Sequence, residues 1–366
     1  MGYRRFIGEQ PAEAIFGLGA SFSTSCGQTF FISIFVPYFV SALPITAGEF
    51  GSLYGIGTLL GALALPFIAA KYDSTPLAVY TRRVFWGLGG AALLLALTVH
   101  PVMLVLAISG LRLTGPGLLT HVAHTTMAKG FERRRGLALG ITSLGYPIGE
   151  GLLPPLAAGA LLIIDWRILW IVIAVLYFTA IPAISTLLIK RTRFESFVAE
   201  DYPGTPKQAD GALRSAWRLM RQEPRFWRVV PLQALLPMLM TAVFLFQAPL
   251  AEHKGWSLTY TASLFTLYAV CRAATSIWIG PKIDKLGAIN LVGFMAIPAT
   301  IGLAAMAFSS ATSTAAFYFV MAGLTSGAAG NIFSATWAEL YGPKQLGAIK
   351  GLMGSFAVIC SAIGPV

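Results

Sequence analysis

Three ionisable side chains lie where the surrounding sequence offers no water. Glu150 sits in the run SLGYPIGEGLLPP, fifteen residues from Arg135 on one side and fifteen from Asp165 on the other. At about 1.5 Å per helical residue each flank is ~22 Å away, so a hydrocarbon core about 30 Å thick would hold a helical Glu150 near its middle. Arg112 lies twelve residues after His100 and seventeen before Lys129, and Arg272 lies ten residues before Lys282. A carboxyl and two guanidiniums at that depth suit two kinds of chemistry. Desolvation favours the neutral carboxyl and a nearby arginine favours the carboxylate, so a side chain moving between those environments loads and releases a proton. A guanidinium cannot shed its charge; it needs an anion or a carbonyl, and its fork matches a carboxylate. The three charges sum to +1 with Glu150 ionised and +2 with it protonated, which favours an anionic guest over a cation.

Each of these residues also has a purely structural use. A protonated Glu150 can bond a backbone carbonyl freed by Pro147, Pro154 or Pro155, and Arg112 can clamp backbone carbonyls. Gln28, Gln247, Tyr268 and Asn331 fall inside apolar blocks and either line a cavity or fill contacts between helices. His121 and His124 stand three apart without a nearby third ligand, so no metal is expected, and nothing calls for a cofactor. The sequence has no HExxH, no GxSxG elbow and no phosphate-binding P-loop, which argues against an intramembrane enzyme and against an ATP-driven pump.

The elements that must position these residues are membrane spans. Of 366 residues 56% are hydrophobic and 11% charged, where an ordinary soluble domain carries about 25% charged residues. Apolar residues gather into eleven blocks, at about 14–42, 50–70, 84–99, 102–128, 136–164, 168–189, 228–250, 259–281, 288–308, 313–338 and 346–366. None alternates as a barrel strand would, so each reads as a helix; the 84–99 block needs flanking residues to reach a full span. The +11 net charge is not spread as a nucleic-acid surface would be: 22 of 26 basic residues fall on one side of the membrane if the N-terminus is cytoplasmic. The opposite loops hold only Arg167 and Lys254. This positive-inside asymmetry predicts a multi-pass protein of the cell inner (plasma) membrane with its N-terminus in the cytoplasm, a lipid bilayer as partner and no nucleic acid. Glu9 and Glu13 interrupt any signal-peptide pattern, and Cys26, Cys271 and Cys360 all fall within blocks, where a thiol acts as a small hydrophobe.

The chain divides into residues 1–189 with six blocks, a charged cytoplasmic linker over 190–227, and residues 228–366 with five. Within the linker, LRSAWRLMRQEPRFW puts Leu213, Trp217 and Met220 on one helical face and Arg214, Arg218 and Arg221 on another, as a helix lying on an anionic leaflet requires. A six-plus-six layout implies a twelfth helix after the block that ends on Pro365-Val366. The two halves echo one another: GPKIDKLG after the eighth block carries Gly280, Asp284, Lys285 and Gly287, and the turn after the second block keeps Asp73.

On these residues the whole chain resembles the major facilitator superfamily. The G-x3-D-K-x-G turn matches its loop signature, RLTGPG from Arg112 to Gly117 resembles its fourth-span R-x2-G-x-G signature, and Gly145, Pro147, Gly149 and Gly151 resemble its glycine- and proline-rich fifth span. GQTFFISIFVPYF and FERRRGLALGI are similar to the branch of monocarboxylate and oxalate–formate carriers. The resemblance implies an all-α fold of two six-helix halves and secondary transport of a small solute by alternating access. In the carboxylate branch an eighth-span arginine binds substrate four residues before the loop glycine; Arg272 precedes Gly280 by eight, one turn further in. It also implies that Asp73, Gly280, Asp284, Lys285 and Gly287 act in gating loops rather than on substrate. The expected protein is a monomer carrying a small organic anion with proton coupling through Glu150, which alternates between a protonated, dry state and an ionised one paired with Arg272 or Arg112. Anion exchange without a proton, efflux of drugs or metabolites, and a non-transporting sensor are the alternatives.

Overall fold

A computed structural model of the protein describes residues 3–72, 74–131, 134–196, 217–342 and 346–366. Every apolar block is helical, and no strand occurs among the described residues. The chain forms two compact units, Met1–Tyr202 and Pro203–Val366. In the first, a short α1 (Tyr3–Glu9) leads into α2 (Pro11–Gly27) and α3 (Thr29–Ala42), then α4 (Ala47–Ala69), α5 (Leu77–Ala96), α6 (Pro101–Gly130), α7 (Arg135–Ala160) and α8 (Trp166–Lys190). The second holds α9 (Phe226–Leu245), α10 (Gln247–His253), α11 (Leu258–Leu286), α12 (Phe294–Phe308), α13 (Thr312–Tyr341) and α14 (Leu346–Ile363). By length and apolarity alone six helices can cross a membrane, and α2 with α3, bent by 47°, make a seventh. The short 84–99 block gains its length by extending back to Leu77, taking in Arg82, whose guanidinium lies 5.2 Å from the Trp86 ring centroid.

Local signals start and stop these helices. Thr46 and Glu49 form a reciprocal capping box before α4, with Thr46 N donating to the Glu49 carboxylate at 2.7 Å and Glu49 N to the Thr46 hydroxyl at 3.2 Å. Asp165 and Ser257 accept from backbone N–H groups at the starts of α8 and α11. Gly287 and Gly342 end α11 and α13 at φ of 79° and 69°, a conformation that side chains with a Cβ resist.

Between helices in lipid there is little hydrophobic drive, so close packing through small residues has to hold the bundle. Each unit does this with glycines four apart, but places them on different partners. In the first unit Gly57 and Gly61 of α4 face the backbone of α6: a Cβ added at either would stand 3.0 Å from Val105 O or 2.9 Å from Ser109 O. In the second unit the row lies on α13, where a Cβ at Gly323 would come within 2.7 Å of Tyr268 O and one at Gly327 within 2.3 Å of Arg272 O, both on α11. Asn331 continues that row, its Nδ2 donating to Ser276 O at 2.8 Å and to the Ser276 hydroxyl at 3.0 Å. Large apolar side chains such as Phe67, Ile163, Ile277 and Phe308 point outward at 77%, 86%, 78% and 93% exposure, as a lipid-facing surface demands.

Candidate functional site

The first 29-residue block is not one helix. The right-handed turns tighten over Thr24–Gly27 and stop at Gln28, whose φ of −87° and ψ of 153° are extended. Helix resumes at Thr29. A break of this kind frees backbone polar groups inside the bundle, and such groups must find partners. The freed carbonyl of Gly27 accepts from Arg112 Nη1 at 3.1 Å. The same guanidinium lies 5.8 Å from the ring centroid of Tyr54, and the Tyr54 hydroxyl is 2.7 Å from the Thr29 hydroxyl on the far side of the break. Arg112 and Tyr54 therefore tie both flanks of Gln28 together. The Nε of Arg112 is buried with no hydrogen-bond partner among the described residues.

The spacing of RLTGPG now has a physical reason. Residues three apart share a helix face, so Arg112 and Gly115 look the same way. A Cβ on Gly115 would lie 3.0 Å from Gly27 Cα and from Thr24 O, and one on Gly27 would lie 2.3 Å from Leu111 O. Backbone meets backbone there, and only glycine permits it. From Leu113 to Leu119 the fourth span widens into a π turn around Pro116, whose missing N–H and bulky ring rule out regular α geometry.

On another side of the break lies the fifth span. A Cβ at Gly145 would meet Leu18 O at 2.2 Å and one at Gly149 would meet Ser25 Oγ at 2.0 Å, so α7 lies directly against α2 along these two glycines. Ser25 is fully buried, its hydroxyl without a partner among the described residues. Glu150, the next residue after Gly149, is 1% exposed and Gln28 is 9% exposed. Tyr146, one turn earlier, packs edge-on to Phe30 with centroids 5.7 Å apart. The half-span beyond the break is propped by rings, with Phe35 against Trp170 at 5.0 Å and Phe39 against Trp166 at 5.3 Å. Three of the sequence candidates, Gln28, Arg112 and Glu150, thus gather on the segments that surround one helix break.

In the second unit Gln247 begins α10 just beyond the end of α9 and is 3% exposed. Tyr268 is 2% exposed in a cluster of rings, 5.2 Å from Phe244 and 6.2 Å from Phe265. Arg272 lies one helical turn further along α11, half-buried, at the point where Gly327 approaches the backbone. Asn331 is the interhelical clamp described above. Of the loop residues, Gly287 has the positive φ that requires glycine, whereas a Cβ at Gly280 would meet nothing within 4 Å. Lys285 is exposed; Asp73 and the side chain of Asp284 lie outside the described residues, as do Leu213 and Arg214.

Sequence reading missed Tyr54, Ser25 and Glu339. Glu339, near the end of α13, accepts from Ala288 N at 2.7 Å and Ile289 N at 3.3 Å, and so caps the helical turn that follows the GPKIDKLG loop. His124 Nδ1 lies 3.0 Å from Thr120 O, and the His121 ring packs on Tyr72 at 5.3 Å, so the two histidines serve separate contacts. Outside the spans, hydrogen bonds first from Arg134 and then from Arg5 hold the Glu9 carboxyl below its ordinary range.

An all-helical, multi-pass bundle with a broken first span and ionisable side chains beside the break suits a membrane transporter. The chain belongs to the Major Facilitator Superfamily, whose family model matches residues 17–365. Among solved structures, a bacterial homologue of the human lysosomal transporter Spinster, inward-facing and unoccupied, is similar over 100% of this chain and 81% of that one, with a TM-score of 0.74 and 16% identity. The nucleoside transporter NupG is similar over 96% of this chain and 89% of that one, with a TM-score of 0.72 and 12% identity. In sequence the chain is 26% identical over 314 residues, 85% of its own length and 68% of the relative's, to an uncharacterized 38 kDa protein in the 23S RNA operon of Thermoproteus tenax. As a member of that superfamily the protein is a membrane transporter rather than an enzyme.

Proposed function

We propose that this protein is a secondary active transporter of a small organic anion, such as a monocarboxylate, working by alternating access and coupled to protons through Glu150. The observation that carries this reading is the break in the first span, with Arg112 on the Gly27 carbonyl and Glu150 beside the Gly149–Ser25 contact. Discontinuous spans are where transporters of this construction bind their cargo. Arg112 already serves the break and the Tyr54 ring. By its resemblance to the eighth-span arginine of the carboxylate carriers, Arg272 is assigned to the substrate carboxylate; Arg112 and Gln28 in the first unit and Gln247, Tyr268 and Asn331 in the second are assigned as further substrate-binding groups. Nucleosides are the cargo named for NupG, but at 12% identity that likeness extends only to the fold.

The test is a stability screen of purified protein against small carboxylates, amines and sugars, followed by uptake with the best ligand. Arg272→Lys should weaken carboxylate binding by losing the two-pronged contact, and Arg272→Ala should abolish it. Unchanged affinity in both variants, or stabilisation by amines alone, would remove the anion assignment.

The proposed setting is the cell inner membrane, N-terminus inside, as a monomer. A cysteine introduced at Thr205 should resist an impermeant thiol reagent in intact cells, while one at His253 should react. The reverse labelling pattern would overturn the orientation.

A further inference from the structure

The strongest unassigned surface lies at the start of α9. Residues 217–222 form a helical turn, and its neighbours make it a fixed shelf. Met220 is fully buried, its carbonyl accepts from the Tyr341 hydroxyl at 3.2 Å, and Trp227 Nε1 donates to Arg221 O at 3.3 Å. The Phe226 ring is the hinge of the arrangement, 6.3 Å from Trp217 and 5.1 Å from Trp227. With these contacts made, Arg218, Arg221, Arg225 and Arg228 all remain exposed, beside Trp217 and Trp227 at 49% and 56% exposure. Among the described residues the acid beside them is Glu223, whose carboxylate is 3.9 Å from Arg225 Nε, a contact too long and too exposed to neutralise the cluster.

We infer that this shelf binds the headgroups of anionic phospholipids. α9 is long and apolar enough to span the membrane, so its first turn lies at the bilayer surface whichever way the protein faces. Four guanidiniums at that depth meet phosphates, and planar forks bind phosphate oxygens in pairs. Two half-exposed indoles at the same level seat at the boundary between headgroups and acyl chains. Charge complementarity therefore selects an acidic glycerophospholipid over a neutral one. Because the shelf is pinned to α13 through the Phe226–Trp337 ring contact and the Tyr341 hydroxyl, headgroup binding there also braces α9 against α13.

The test uses the full chain. Native mass spectrometry of purified protein offered equal phosphatidylglycerol and phosphatidylcholine should show preferential retention of phosphatidylglycerol. Replacing all four arginines by glutamine should cut that preference by about fivefold per arginine, the factor expected of one basic group near an anionic surface. Four lysines should largely keep it. Neutralising Arg82 and Arg83, elsewhere on the chain, should leave it nearly unchanged. Should the glutamine variant fail to fold, the wild-type preference must still collapse at high salt. Equal retention of the two lipids, a preference that survives the four glutamines or high salt, or an equal loss on changing Arg82 and Arg83 would each overturn the inference. So would a rise in thermal midpoint with free inorganic phosphate in neutral phosphatidylcholine vesicles that the four glutamines remove.

Discussion

With Glu150 replaced by glutamine, proteoliposomes under an imposed pH gradient should accumulate no substrate, while exchange of labelled for unlabelled substrate continues. Glutamine matches the size and hydrogen-bonding shape of a protonated glutamate, so the change is close to isosteric at this buried position, 1% exposed. Under the coupling proposed above, the variant is locked in the equivalent of the loaded state. On that mechanism net uptake against a gradient needs the proton to leave on one side and return on the other, so the drive from pH should vanish altogether. Exchange carries the loaded protein back and forth without releasing the proton, so it is spared. The contrast between the two assays separates a coupling role from simple misfolding, because a misfolded protein fails both. Accumulation at wild-type levels in the variant would make Glu150 structural.

Arg112→Ala should reduce both stability and transport, and more severely than any change at an exposed loop. It leaves the Gly27 carbonyl, freed by the break, without its donor, and a buried unsatisfied group costs about 1–3 kcal/mol. It also removes the cation from the Tyr54 ring, worth about 0.5–2 kcal/mol. Arg112→Lys keeps the charge but cannot bond the carbonyl while lying flat on the ring, so its unfolding midpoint should fall between the two. Gly27→Ala should act on the same joint by forcing a methyl to 2.3 Å from Leu111 O. Thermal midpoints and exchange rates in the same preparation check this. A wild-type midpoint and rate in Arg112→Ala would mean that the break holds without its guanidinium.

Much of this protein was legible in the sequence because lipid imposes a simple rule. A chain that crosses a membrane must satisfy its backbone within each helix and cover it with apolar side chains, so eleven blocks of the right composition are read directly as helices. Charge, being costly in the core and biased between the two sides, likewise reveals itself by position alone, and that is why Arg112, Glu150 and Arg272 stood out. The glycines of RLTGPG and of the fifth span were visible as patterns, but their reason was not.

What the tertiary structure alone decided is the break. The block at 14–42 has 29 residues, ~43 Å as a straight helix against a core of about 30 Å, and STSCGQ within it is small and polar; both were signals, yet neither says where the helix stops. The stop falls at Gln28 because Gly27 lies against Gly115 and Leu111 of another span, eighty-odd residues away, and Arg112 is there to take its carbonyl. Tyr54 and Glu339 were invisible for the same cause: an ordinary tyrosine or glutamate acquires a role only from the freed backbone group that folding brings to it. Composition along the chain determines which segments enter the bilayer, because transfer from water is a sum over residues. Which backbone groups inside it go unpaired, and which side chains answer them, depends on contacts between distant spans, and those exist only once the helices have packed.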